Sequence, residues 1–144
     1  MEEIKFRNDA VNMHDELVEI RRSLHRIPEV GFREYETSKF IQKYLREELN
    51  IPFKGGLAGG TGIVAILEGD YPGPTIAVRT DIDALPIEEQ TGLSFSSRNQ
   101  GYMHACGHDG HMAIALGTAK LLKKYLSQLK GNVKFIFQPA EELS

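Results

Sequence analysis

Gly62-Ile63-Val64-Ala65-Ile66-Leu67 is followed by Gly69-Asp70-Tyr71-Pro72-Gly73-Pro74 and then by Thr75-Ile76-Ala77-Val78-Arg79-Thr80. Two short apolar runs flank a turn built from Gly, Asp and Pro. Their length and β-branched content predict buried strands, and the short connection predicts that they pair as a hairpin. Upstream, Gly55, Gly56, Gly59, Gly60 and Gly62 mark a turn-rich approach. Downstream, Val133 to Phe137 is interrupted only by Lys134 and predicts one more short buried strand.

The rest of the pattern is helical. Ala10, Met13, Leu17, Ile20, Leu24 and Ile27 recur in steps of three and four, so a single helix face carries them. Asp9 is placed to cap this helix and Pro28 to end it. A second helix is predicted after Gly31, with Phe40, Ile41, Tyr44, Leu45 and Leu49 as its stripe and Asn50 and Pro52 as its stop. A third is predicted from a cap at Asp109, along Met112, Leu116, Ala119, Leu122, Leu126 and Leu129, to Gly131. Lys120, Lys123 and Lys124 lie towards its C-terminal half, where positive charge suits the helix dipole. The order helix, helix, strand, strand, helix, strand predicts an α/β or mixed fold with helices flanking a central mixed sheet. Asp83 to Tyr102 reads as polar loop.

The bulk properties agree with a globular protein: 144 residues, 41% hydrophobic, 26% charged, net charge -3. One domain fits this length. The charge balance argues against nucleic-acid binding. No apolar run approaches the roughly 20 residues of a membrane span, and the charged start, Met1-Glu2-Glu3-Ile4-Lys5, does not resemble a signal peptide. The single cysteine, Cys106, excludes an intrachain disulfide and suits a reducing compartment. The expected location is the cytoplasm.

Three polar clusters stand beside these elements: Arg79 to Pro86, Met103 to His111, and Pro139 to Glu142. The carboxyl ends of strands are where α/β sheets collect ligands. The middle cluster, His104-Ala105-Cys106-Gly107-His108-Asp109-Gly110-His111, concentrates three of the five histidines with the only cysteine. Thiolate and imidazole are the usual ligands of zinc and related metals, and Cys106 and His108 stand two apart. Taken alone, one histidine in such a place would more often bond to backbone than to metal. Cys106 also admits a nucleophile reading, since a nearby helix N-terminus lowers a thiol pKa. Glu141 and Glu142 follow an apolar strand and Pro139, so the pair can divide metal binding from proton transfer. Asp81 and Asp83 share a face after a strand; they read equally as near-site groups or as turn formers.

Together these three segments resemble the amidohydrolase branch of the dinuclear metallopeptidases related to aminoacylases. That branch includes hippurate hydrolases, N-acyl-amino-acid amidohydrolases, N-acetyldiaminopimelate deacetylases and auxin-conjugate hydrolases. Arg21-Arg22-Ser23-Leu24-His25-Arg26-Ile27-Pro28-Glu29, with Glu36-Thr37 after it, resembles the same branch. The resemblance implies a zinc-peptidase-like α/β catalytic domain, of which residues 1–144 form the N-terminal portion. The lid domain and C-terminal half would follow. It also implies two divalent ions per complete enzyme (zinc, manganese, cobalt or nickel) and a small N-acyl amino acid as substrate. Cys106, His108 and Glu142 match metal-ligand positions, and Glu141 matches the general base. Asp81, Asp83, His104 and Asp109 are expected close to the site without ligating; His104 and His111 match no defined role. The lid of this branch often mediates dimers of the full-length protein. At least two further histidine ligands belong beyond residue 144, so this chain alone is expected to be inactive or nearly so. A metal-binding remnant without chemistry is the other outcome this leaves.

Overall fold

The computed structural model describes residues 3–143. Met1, Glu2 and Ser144 lie outside the described residues, and with them part of the charged start read above. Four helices and four strands form the frame: α1 (Glu3–Asn12), α2 (His14–His25), α3 (Tyr35–Lys43), β1 (Phe53–Leu57), β2 (Gly62–Glu68), β3 (Tyr71–Asp81), α4 (His108–Lys124) and β4 (Lys130–Gln138).

The sheet is mixed, in the order β1-β2-β4-β3. β2 runs antiparallel to β4, whereas β3 runs parallel to β4. The predicted hairpin between the runs at 62–67 and 75–80 is therefore corrected: β4 lies between them. The hairpin that does form joins β2 to β1, a strand hidden in the glycine-rich approach. The reason is steric. Gly69, Gly73 and Gly131 let the β2–β3 connection cross the start of β4 at backbone contact, with Gly69 N–H donating to Gly131 O at 2.9 Å. A Cβ on Gly131 would stand 2.0 Å from Pro74 O, and its φ is +81°. Glycine-free sequence would not pass there. Insertion also gives β4 a hydrogen-bonded neighbour on both edges.

One face of the sheet carries the core. Ile63, Ala65 and Leu67 of β2 pair with Phe137, Phe135 and Val133 of β4, so all six point the same way. They pack with Ile20, Leu24, Ile41, Leu45, Met112, Leu116 and Ala119 from the helices. The edge strand β3 is largely exposed, including Ile76. No described helix is long and apolar enough to cross a membrane.

Three helix boundaries differ from the sequence expectation. The first predicted helix is two, broken at Met13. Asn12, a residue that competes with the backbone for hydrogen bonds, precedes the break. Asp9 is inside α1 rather than at a cap; it accepts from Tyr125 Oη at 2.5 Å and pairs with Lys124 at 2.6 Å. The third predicted helix stops at Lys124 and continues as a 3-10 turn, Leu126–Gln128. Leu126 and Leu129 still pack on the core, because the tighter turn keeps every third residue on one side. Asp109 does not cap α4. Gly107, at φ +96°, holds that position and Asp109 lies in the first turn.

A candidate metal centre at the ends of the parallel strands

β3 and β4 are the parallel pair, and their carboxyl ends stop side by side: Asp81 is in register with Gln138. Ile82 N–H donates to Gln138 O at 3.0 Å and extends the pairing by one step. Each strand then releases its polar segment into the same space, and α4 begins opposite them at His108.

Two overlapping triads result. One ligand atom each from Cys106, His108 and Glu142 lie within 4.8 Å of one another, and so do atoms from Asp81, His108 and Glu141. His108 Nε2 stands 3.7 Å from Glu141 and 3.9 Å from Glu142. Its other nitrogen, Nδ1, donates to Asp83 O at 2.9 Å, with Asp83 Oδ1 at 3.3 Å. That contact places a proton on Nδ1, so in the neutral ring it is the Nε2 lone pair that faces the carboxylates.

Asp83 is fully buried and does double duty. Its Oδ2 accepts from Glu142 N–H at 2.8 Å, tying the end of β3 to the turn after β4. Its Oδ1, and Glu142 Oε1, are buried without a hydrogen-bond partner among the described residues. Leaving buried carboxylate oxygens unpaired is costly. A cation beside Glu142 Oε1, Cys106 and His108 Nε2 would remove that cost for the glutamate, so this donor set fits a divalent metal. Cys106 agrees. Its thiol pKa is raised, first by its contact with Glu142 and then by burial and the neighbouring acids. The helix N-terminus was expected to lower it. A crowd of carboxylates opposes a free thiolate nucleophile, yet the same crowd attracts a divalent ion, which deprotonates a thiol that ligates it. Asp81 is held by Arg79 at 2.7 Å.

The remaining candidates sit around this centre. His104 is 4% exposed with neither ring nitrogen hydrogen-bonded among the described residues, and burial pushes its pKa down to about 4. Asp109 turns away from the triads. Its carboxylate takes Arg21 Nε at 2.7 Å and His25 Nδ1 at 2.8 Å, while His25 Nε2 meets Glu89 at 3.1 Å. This set, buried except for Arg21, fastens α2 and the 83–102 loop to the start of α4. His111 lies on the exposed side of α4, its ring 6.1 Å from that of His108.

Sequence reasoning gave no role to Glu29, Glu34 or Glu89. Isolated glutamates carry no spacing signal, although two of these stand just before α3. A cavity of about 760 Å³, lined by Ile51, Phe53, Leu57, Val64, Ile66 and Leu126 among others, includes none of the polar cluster.

Residues 77–144 match the model of peptidase family M20/M25/M40. The chain is 50% identical over 135 residues to N-acetylcysteine deacetylase of Bacillus subtilis, covering 91% of this chain and 34% of that protein. It is 45% identical over 138 residues to thermostable carboxypeptidase 1 of Saccharolobus solfataricus, covering 96% of this chain and 35% of that one. The chain thus spans about a third of the length of the curated relatives it matches. A solved Bacillus subtilis structure, a dinuclear metal-binding peptidase of the M20 family, superposes with a TM-score of 0.86 at 51% identity, over 91% of this chain and 36% of that chain. All three polar segments fall within the matched stretch, the backbone follows the same path as that solved structure, and the chain is similar to about a third of the length of members of the M20/M25/M40 peptidase family.

Proposed function

We propose that this chain supplies the metal-holding and proton-moving part of an amidohydrolase acting on N-acyl amino acids. The convergence of Cys106, His108 and Glu142, with Glu141 beside them, carries the reading. In it, Cys106, His108 through Nε2, and Glu142 hold a divalent ion of the zinc, manganese, cobalt or nickel kind. The complete, longer protein holds two. When bound, such an ion supplies Lewis acidity, polarising an amide carbonyl and acidifying water. Glu141 takes the proton of the attacking water and returns it to the leaving amine. Asp83 keeps the His108 ring and the Glu142 turn in place, and Asp81 with Arg79 borders the site.

The two named relatives point to one kind of substrate. A deacetylase of N-acetylcysteine and a carboxypeptidase, by their names, cut the same linkage: an acyl carbonyl, an amide nitrogen, then a carbon bearing a free carboxylate. An amide of that shape, with a small acyl group, is the expected substrate. The thiol ligand suits a reducing compartment such as the cytoplasm.

The test is metal content together with hydrolysis of N-acetyl and N-benzoyl amino acids, for this chain and for the full-length protein. The full-length protein is expected to bind about two ions, to cleave the amides and to lose activity on chelation. This chain is expected to bind one ion and to cleave little. Activity that survives chelation would refute the reading.

A further inference from the structure

We infer that Glu34 is a positioning residue for the Glu141–Glu142 turn. The inference rests on the reading of that turn given above. Glu34 is fully buried, and among the described residues no lysine or arginine pairs with it. Its two oxygens are used separately. Oε2 accepts from Thr61 Oγ1 at 2.7 Å, and Oε1 accepts from Ala140 N–H at 2.9 Å.

The placement of Glu34 is what makes this use notable. It occupies the cap position of α3, yet its side chain makes no cap hydrogen bond to that helix. Glu29 does that work instead, accepting from Glu36 N–H at 3.0 Å and Thr37 N–H at 2.8 Å. Glu34 is thereby released to reach across to the end of β4. The residue it grips is strained: Ala140 has φ +58°, in the left-handed region that an alanine seldom adopts. That conformation turns the chain sharply after Pro139 and aims Glu141 and Glu142 back towards His108. The preceding loop lies hard against the same turn, since a Cβ on Gly31 would stand 2.9 Å from Ala140 Cα. Thr61, immediately before β2, anchors the other oxygen to the sheet. Glu34 therefore links the sheet to a turn that would otherwise relax, and the turn carries a metal ligand.

Reach, rather than charge, is the property this requires. Glu34→Gln keeps the reach and an acceptor for Ala140 N–H. Glu34→Asp keeps the charge and falls one methylene short. The experiment is cobalt(II) titration of this chain, read by the near-ultraviolet thiolate-to-cobalt band and by affinity, with melting temperature recorded for every variant. Glu34→Asp is expected to weaken cobalt binding by about ten-fold or more, and Glu34→Gln by no more than about three-fold. Ala140→Gly placed in the Glu34→Asp background is expected to recover part of the loss, because glycine adopts the positive φ without the anchor. Parent-like binding by Glu34→Asp overturns the inference, as does equal loss in the Gln and Asp variants. Cys106→Ser separates this from the underlying reading: if the parent binds cobalt without a thiolate band, or if Cys106→Ser leaves the affinity unchanged, the metal centre itself is wrong and Glu34 falls with it.

Discussion

Acid should unfold this protein partly through one side chain. His104 is buried and neither ring nitrogen has a hydrogen-bond partner among the described residues. Burial lowers its pKa from 6.5 to about 4; the nearby Asp109 opposes that shift without cancelling it. The folded chain therefore resists a proton that the unfolded chain accepts. Stability from this group is fully present above the unfolded value, falls as pH drops from 6.5 towards 4, and levels off below that. At about 1.4 kcal/mol per pH unit, the whole interval is worth roughly 3 kcal/mol. That is a large share of the stability of a domain this size. The assay is urea denaturation at neutral pH and near the foot of the interval, with chelator present, for the parent and for His104→Leu. The parent should lose roughly 2–3 kcal/mol more than the variant between the two conditions. Equal losses would show that His104 is not the group that charges on unfolding.

Three other perturbations test the frame. Gly131→Ala would place a methyl group against Pro74 O at a positive φ, and should lower the unfolding free energy by at least about 2 kcal/mol in urea denaturation; a loss below roughly 0.5 kcal/mol would contradict the crossing described here. Glu29→Gln removes the carboxylate from the amides of Glu36 and Thr37, and should cost about 1 kcal/mol by the same measurement. Asp109→Ala strips a buried partner from His25 and from the partly exposed Arg21; a loss of roughly 2–4 kcal/mol is expected, and a neutral result would mean that the set does not fasten α2 to α4.

Much of the site could be read from the residues because its chemistry is local in sequence. Cys106, Gly107 and His108 are consecutive, as are Glu141 and Glu142, and each group hangs on an element with a clear apolar signature. Their meeting needed no long-range knowledge beyond the tendency of polar groups to gather at strand ends. The strand order did need it. Nothing in Gly69 to Pro74 says whether the turn closes a hairpin or steps over another strand; the answer lies in Gly131, some sixty residues further on, which only matters once the two segments touch. β1 was hidden for a related reason, since Gly55 and Gly56 weaken its strand signal while pairing with β2 supplies what propensity lacks. Asp109 was misjudged because Asp at a helix start suggests a cap, whereas here Gly107 takes the cap and frees the carboxylate for Arg21 and His25.

The insertion of β4 between β2 and β3 also sets a timetable. A ribosome delivers β2 and β3 well before β4; β2 can pair with β1 at once, but its other edge, and the inner edge of β3, have no neighbour until residues 130–138 emerge. Both must wait, each with an open edge, for the strand that fills the gap between them. The segment that closes the sheet also brings Glu141 and Glu142 with it. Assembly of the centre is therefore not a late decoration on a finished scaffold; a nascent chain acquires its central strand and its acidic pair in one event, so metal ions present during synthesis would favour the same step that completes the fold.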